Sequence, residues 1–285
     1  MKSVLITLGR LPKGLDIVRS FHRAGWRVII ADPACDHLSR VSNHVTKTYQ
    51  VPPPAAHSQK YLGALREIIK TESIDLIVPV SEEIMYVSLL AEESQLQPLL
   101  FCMNHHLIHR AHHKGNFIAL CQELCLTVPE TAKADTIDAF EIAHKGPFIT
   151  KPLHSCAGDR VNLHDQGSTY PPDPERLVQR RIIGSEVSTC SLARKGKRQA
   201  TCIYRGTLIG GTVAVGFERI ENDAVMHWVD HFIAATEWTG FISFDFILDE
   251  EGTPYAIECN PRTTSGIHFL KMLISPVPFL TRRMK

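Results

Sequence analysis

Short β-branched strands alternate with amphipathic helices through the first hundred residues, and this alternation narrows the fold more than any other feature of the chain. "SVLITL" is followed by a segment with Leu15, Val18 and Phe21 on one helical face, then by the helix-stopping Gly25 and a second strand, "WRVIIADP". The pattern continues with a helix over 61–70, the strand "IDLIVPV", a helix over 83–93 and the strand "PLLFCMN". Parallel strands need crossover connections, and crossover helices cover both faces of a sheet, so residues 1–103 are predicted to form an α/β unit. The first turn, "LGRLPKG", lacks the Gly-x-Gly-x-x-Gly spacing that brings a pyrophosphate close to the backbone. Asp32, ending the second strand, suits either a ribose-binding acid or a solvated strand terminus.

Lys and Arg number 31 against 30 Asp and Glu, which offers no broad basic surface to a nucleic acid. Eight cysteines are scattered without a Cys-x-x-Cys pair, in a chain large enough to bury a core without disulfides. The apolar run "VLITL" is too short for a signal peptide, and no stretch reaches the roughly 18 apolar residues of a membrane span. The expectation is a cytoplasmic protein with no membrane or nucleic-acid partner.

From residue 104 the pattern becomes α+β. Helices are predicted over 114–125 and 137–144, then strands at "FITKPL", "RLVQRRI", "EVSTCSLA" and "RQATCIYR". A later helix over 224–238 places Val225, Trp228, Val229, Phe232 and Ala235 on one stripe, with Gly240 positioned to end it. "NHHLIHRAHHK" sets His105, His109, His112 and His113 near one helical face, but no acid lies nearby to orient ligand histidines, so it reads as a polar face and not as a zinc site.

The stretch "FISFDFILDEEGTPYAIECN" reads as two antiparallel strands joined by "DEEGTP", with Gly252 available for a positive-φ turn. Folded symmetrically, Asp245 lies opposite Glu258 and Ser243 opposite Asn260, while Phe244, Phe246 and Leu248 share the other face with Cys259, Ile257 and Tyr255. Like charges directly opposite repel. A divalent cation relieves this, because two carboxylates and an amide oxygen are hard ligands suited to Mg²⁺ (or Mn²⁺); solvation of both acids on an open face is the alternative.

Four segments in order resemble the ATP-grasp superfamily, most of all the branch that includes the carbamoyl-phosphate synthase large subunit. "HKGNFIALCQELCLTVPET" resembles its Asp-Lys-x-x-Phe helix and Pro-x-Thr, with His113 where Asp is usual; "FITKPL" resembles its strand ending in Lys-Pro. "LVQRRIIGSE" resembles its hinge strand and Gly-x-Glu, and "FDFILDEEGTPYAIECNPR" its metal-binding end. The resemblance implies a Rossmann-like pre-ATP-grasp domain over 1–103 on the substrate side. It implies an α+β ATP-grasp domain over 104–285, with a lid subdomain at about 115–180 and a metal-binding subdomain at about 181–285.

The same resemblance implies roles. Asp245, Glu258 and Asn260 would hold magnesium, and Lys151 and Lys114 would meet the phosphates of ATP. Gln179, Arg181 and Ile182 would bind the base from the hinge, Glu186 the ribose. Arg262 would join Lys151 in catalysis, pointing toward the transferred phosphate. "HSCAGDR" stands where the family has a glycine-rich flap, with only Gly158 a glycine, and Arg180 stands where relatives often have Glu.

The implied reaction is ADP-forming: a carboxylate attacks the γ-phosphate, and an amine or similar nucleophile displaces phosphate from the acyl phosphate. Small-molecule substrates are the implied partners, with a homo-oligomer left open. The rival readings are a catalytically weak nucleotide-binding regulatory or assembly protein and, from the first βαβ unit, a nicotinamide-dependent oxidoreductase. The short stretch after Arg262 could leave Phe269 and Leu270 exposed, either to a partner subunit or to a missing domain.

Overall fold

The computed structural model describes residues 1–153, 161–210 and 213–270; the expected flap "HSCAGDR" and the closing "FLTRRMK" lie outside the described residues. The chain opens with β1 (Ser3–Ile6), α1 (Pro12–Arg23), β2 (Arg27–Asp32), β3 (Lys47–Gln50), α2 (Ser58–Glu72) and β4 (Leu76–Val78). The four strands form a wholly parallel sheet in the order β3-β2-β1-β4, as the alternation requires. Leu5, Ile29 and Ile77 pack on one face with Tyr61 and Leu65 of α2. Val4, Ile6, Val28 and Ile30 pack on the other with Ile17, Val18 and Phe21 of α1.

Two expected elements shrink. The helix over 83–93 is a single turn, α3 (Ile84–Val87), continued as a tighter 3₁₀ turn, and "PLLFCMN" makes only one bridge, Leu100 to Ile77. Asp32 is neither a ribose acid nor a solvated terminus. It is fully buried, and its carboxylate accepts the backbone N–H groups of Gly9, Arg10 and Ala34, which pins the first turn to the end of β2. A carboxylate saturated in this way has no capacity left for a ribose, which removes the main support for the oxidoreductase reading.

α4 (His105–His112) and α5 (Lys114–Glu123) follow. His113 between them caps α5 by accepting the Asn116 N–H, the job an aspartate does at a helix start. Next come β5 (Thr131–Lys133), α6 (Ile137–Lys145), β6 (Phe148–Pro152), β7 (Asn162–His164) and β8 (Arg176–Arg180), a small antiparallel sheet ordered β5-β8-β6-β7. The remaining elements are β9 (Ser185–Arg194), β10 (Lys197–Gly210), β11 (Val213–Ile220), α7 (Asp223–Ala235), β12 (Gly240–Leu248), β13 (Pro254–Asn260) and α8 (Ile267–Leu270). Their strands form a second antiparallel sheet, β11-β10-β9-β12-β13.

One face of that sheet buries Phe244, Phe246, Ala256 and Cys259 against Phe117 of α5 and Trp228 and Phe232 of α7. The other face carries Phe241 and Leu192, which meet the α1 side of the parallel sheet, and further along β12 it opens at Asp245 and Ile247. On α7 the buried stripe runs through Ile233, and Ala235 is exposed. Gly240 does not end α7. It begins β12 at φ 118°, where a Cβ would lie 2.9 Å from the Phe101 carbonyl oxygen, so the position demands glycine on both counts.

After Arg262 the chain turns back onto the parallel sheet. Leu270 is fully buried and Phe269 packs on Tyr204, 6.1 Å between ring centroids, so the expected apolar exposure there is corrected: α8 fills the space between α1 and β10. Among the described residues the cysteines are unpaired, and no helix is long and apolar enough to cross a membrane.

Candidate active site

Gly252, at φ 81°, closes the β12–β13 connection, and the strands pair as symmetric folding requires, Ser243 with Asn260 and Asp245 with Glu258. Beyond that pair the register shifts. Phe246 faces Ala256, which leaves Ile257 as an extra residue in β13. The greasy face is therefore built by Ala256, while Ile257, expected in the core, lines the acidic side.

This side forms the floor of a cleft of about 580 Å³ between the two antiparallel sheets. All ten residues singled out from the sequence line it: Lys114, Lys151, Gln179, Arg181, Ile182, Glu186, Asp245, Glu258, Asn260 and Arg262. Asp245 accepts the Ser188 hydroxyl at 2.6 Å and the Asn260 amide nitrogen at 3.2 Å. Removal from water, outweighing the Ser188 bond and reinforced by the facing Glu258, pushes the Asp245 carboxyl up to about 6. Glu258 has Lys114 Nζ 3.5 Å from its Oε1, and Lys114 is itself buried.

Lys151 is 5% exposed and donates at 3.0 Å to both Gln179 Oε1 and the Ile257 carbonyl. Burial presses its ammonium down to about 8, against the pull of Glu258. Gln179 spends its other end on Thr131 Oγ1, so within the cleft lining its amide is bound at both ends and positions Lys151. The Arg181 N–H is donated to the Pro147 carbonyl, and Ile182 follows it along the wall of the cleft. Glu186 is exposed and stands beside Ile247 across β9 and β12. Gly184 before it is forced by contact, since a Cβ there would fall 1.8 Å from the Leu248 carbonyl oxygen.

Arg262 turns toward the parallel sheet. Its Nε donates to Glu82 Oε1 at 2.5 Å and its Nη1 to the Thr263 carbonyl at 3.2 Å. Thr263 in turn donates to the Val80 carbonyl, and Lys13 reaches Thr263 from α1. Ser81, Glu82 and Ser188 were not identified from the sequence, and Lys13 only as part of the first turn, "LGRLPKG". The adjacent acids of "SEE" were the one signal available, and Glu83 proves structural, accepting Val80 N–H, Ser81 N–H and the Thr7 hydroxyl from within the core.

A family model for the ATP-grasp domain matches residues 111–266, more than half of the chain and the whole span from α5 to the end of the β12–β13 hairpin. The chain belongs to the ATP-grasp family. No curated protein matches it in sequence. Solved structures agree on the fold. A biotin carboxylase–β-γ-ATP complex from Campylobacter jejuni superposes with a TM-score of 0.74 at 14% identity, over 98% of this chain and 69% of that one. An L-amino acid ligase from Bacillus licheniformis gives 0.68 at 15%, over 93% and 68%. The biotin carboxylase domain of a Hydrogenobacter thermophilus 2-oxoglutarate carboxylase, solved with MgADP, ADP and bicarbonate, gives 0.69 at 13%, over 100% and 70%.

The acidic floor of this ATP-grasp cleft suits a hard cation. Among the described residues no three His, Cys, Asp or Glu side chains converge to hold a metal by themselves. The facing Asp245 and Glu258 are hard oxygen donors of the kind Mg²⁺ takes, while Asn260 turns its amide nitrogen to Asp245.

Proposed function

We propose that this protein is an ATP- and magnesium-dependent, ADP-forming ligase that activates a carboxylate as its acyl phosphate for attack by an amine or similar nucleophile. The observation that carries the reading is the facing pair Asp245 and Glu258 on the floor of a cleft walled by the Lys151 ammonium and the hinge at Ile182. Relatives of the same fold solved with a β-γ-ATP and with MgADP support it.

Each residue has a physical task. Ile182 offers its N–H to the base edge and its side chain to the base face, and Glu186 accepts from ribose hydroxyls. Lys151, held by Gln179 and the Ile257 carbonyl, and Lys114 supply point charges for the phosphates. Asp245, Glu258 and the Asn260 oxygen hold magnesium, which when bound neutralises the triphosphate and polarises its terminal phosphoryl group. Arg262 carries spare N–H donors at the end of the cleft nearest the parallel sheet, where the acyl phosphate would form. Residues 1–103 would supply the wall facing the acceptor, and the small sheet with α6 the lid.

Calorimetric thermal unfolding tests the reading. ATP with Mg²⁺ is expected to raise Tm and NAD to leave it unchanged. ADP release on adding pooled carboxylates and amines is then expected; its absence across a broad panel, with ATP still bound, would mark a nucleotide-binding protein without turnover.

A further inference from the structure

Lys13 lies in the first turn of α1, half-buried, and shares the Thr263 carbonyl with Arg262, which lines the cleft. Its ammonium donates to two neutral oxygens, Ser81 Oγ at 3.1 Å and the Thr263 carbonyl at 2.9 Å. Among the described residues no carboxylate stands within ion-pairing distance of it. The two acids that act on it are committed elsewhere: Glu82 to Arg262, and Glu83 to Thr7 and the backbone of Val80 and Ser81. A cation drawn out of water without a direct ion pair is costly even with Glu82 and Glu83 acting on it from a distance, and a scaffold serving stability alone would pair or replace it.

Arg262 donates to the same Thr263 carbonyl at 3.2 Å, so two cations converge on one main-chain oxygen. Their mutual repulsion adds to burial in pressing the Lys13 ammonium down to about 8. An ammonium has three donors and a guanidinium five, so after these bonds both retain N–H groups for a ligand. A carboxylate or phosphate could bridge them with charge-assisted bonds. In the ligase reading Lys151, Lys114 and the metal ligands serve the phosphates of ATP, which leaves the charge at Lys13 to the acceptor.

We propose that Lys13 and Arg262 form a subsite for a second anionic group on the acceptor substrate, carboxylate or phosphate, so that the protein takes a diacid or a phosphorylated acid in preference to a neutral monocarboxylate. This rests on the ligase reading for the identity of the acceptor, while the anion subsite itself can be measured without turnover.

The test uses the full chain as wild type, Lys13→Met and Lys13→Arg, titrated by isothermal calorimetry with succinate, succinamate and inorganic phosphate, each with and without Mg-ADP. Succinate or phosphate is expected to bind at least about tenfold more tightly than succinamate. Lys13→Met is expected to weaken that anion about tenfold or more, with Lys13→Arg restoring most of it and Mg-ADP binding equal in all three. Whether phosphate or succinate binds better tells which oxyanion the subsite favours. Equal binding of succinate and succinamate, no anion binding in wild type, or no change in Lys13→Met would overturn the proposal. Failure of Mg-ADP to bind, with the anion titrations intact, would instead sink the ligase reading and leave the subsite standing.

Discussion

Asp245 and Glu258 face each other across β12 and β13, and the residue beside Glu258 is the one that breaks the register: Ile257 is extra, and its carbonyl accepts the Lys151 ammonium at 3.0 Å. One irregularity thus joins the acidic floor to the buried cation of the small sheet. Facing acids and a buried lysine are each unfavourable in an empty scaffold, and such concentrated cost is characteristic of a ligand site.

Replacing Asp245 by Asn should make the metal-free protein more stable and magnesium-assisted nucleotide binding much weaker. The folded carboxyl titrates at about 6 against an ordinary 3.8, so above that pH its ionisation opposes folding. Allowing for its partial exposure, removing the charge should add about 1–2 kcal/mol at pH 8. Urea unfolding in EDTA reads the gain; loss of the Mg-ATP thermal shift reads the cost. A destabilised variant that keeps the shift would contradict both.

Gln179 makes no direct claim on a ligand, yet its replacement should be felt there. Its oxygen holds Lys151 and its nitrogen holds Thr131, so Gln179→Leu frees the ammonium from one of its two anchors. Mg-ATP affinity is expected to fall about tenfold, the equivalent of one lost hydrogen bond to a charged group. Calorimetric titration checks this, and unchanged affinity would show that Lys151 needs no such support.

The facing acids were legible because a symmetric hairpin fixes its register from the turn outward. The bulge was not, since an extra residue leaves the alternation of apolar letters looking intact, and Ile257 was assigned to the core that Ala256 occupies. The parallel sheet was legible in its buried strands, but β3, "KTYQ", is polar and largely uncovered and carries no hydrophobic signature. Lys13, Ser81 and Thr263 come together from segments separated by 68 and 250 positions, and no local pattern announces such a meeting.

Arg262 reaches back to Glu82 across 180 positions, tying the end of the β12–β13 hairpin to the segment that follows β4. Glu82 is more than half exposed, so the pair should add little to stability, under about 1 kcal/mol. Its importance should appear as orientation. Glu82→Gln, which keeps one acceptor oxygen, is expected to leave Tm within a few degrees and to lower kcat/KM for the carboxylate more than it raises KM for ATP. Parallel steady-state kinetics in the two substrates would check this, and an effect confined to ATP would place Glu82 elsewhere in the mechanism.

The buried lysine makes a prediction about pH with a definite sign. Lys151 titrates at about 8 in the folded protein against an ordinary 10.5, because burial disfavours its charged form. Below pH 8 both folded and unfolded chains hold the proton and the full burial cost is present. Between about 8 and 10.5 the unfolded chain binds a proton that the folded chain has released, so stability rises with pH through this window. The rise from this group amounts to at most about 3 kcal/mol. Lys151→Met should therefore flatten the increase in urea-unfolding free energy between pH 7.5 and about 10 in the nucleotide-free protein. Nucleotide affinity should run the opposite way in the wild type, weakening above pH 8 as the ammonium proposed to meet the phosphates is neutralised. A wild type and variant with parallel stability curves would mean that Lys151 keeps its proton throughout, in a site wetter than its burial implies.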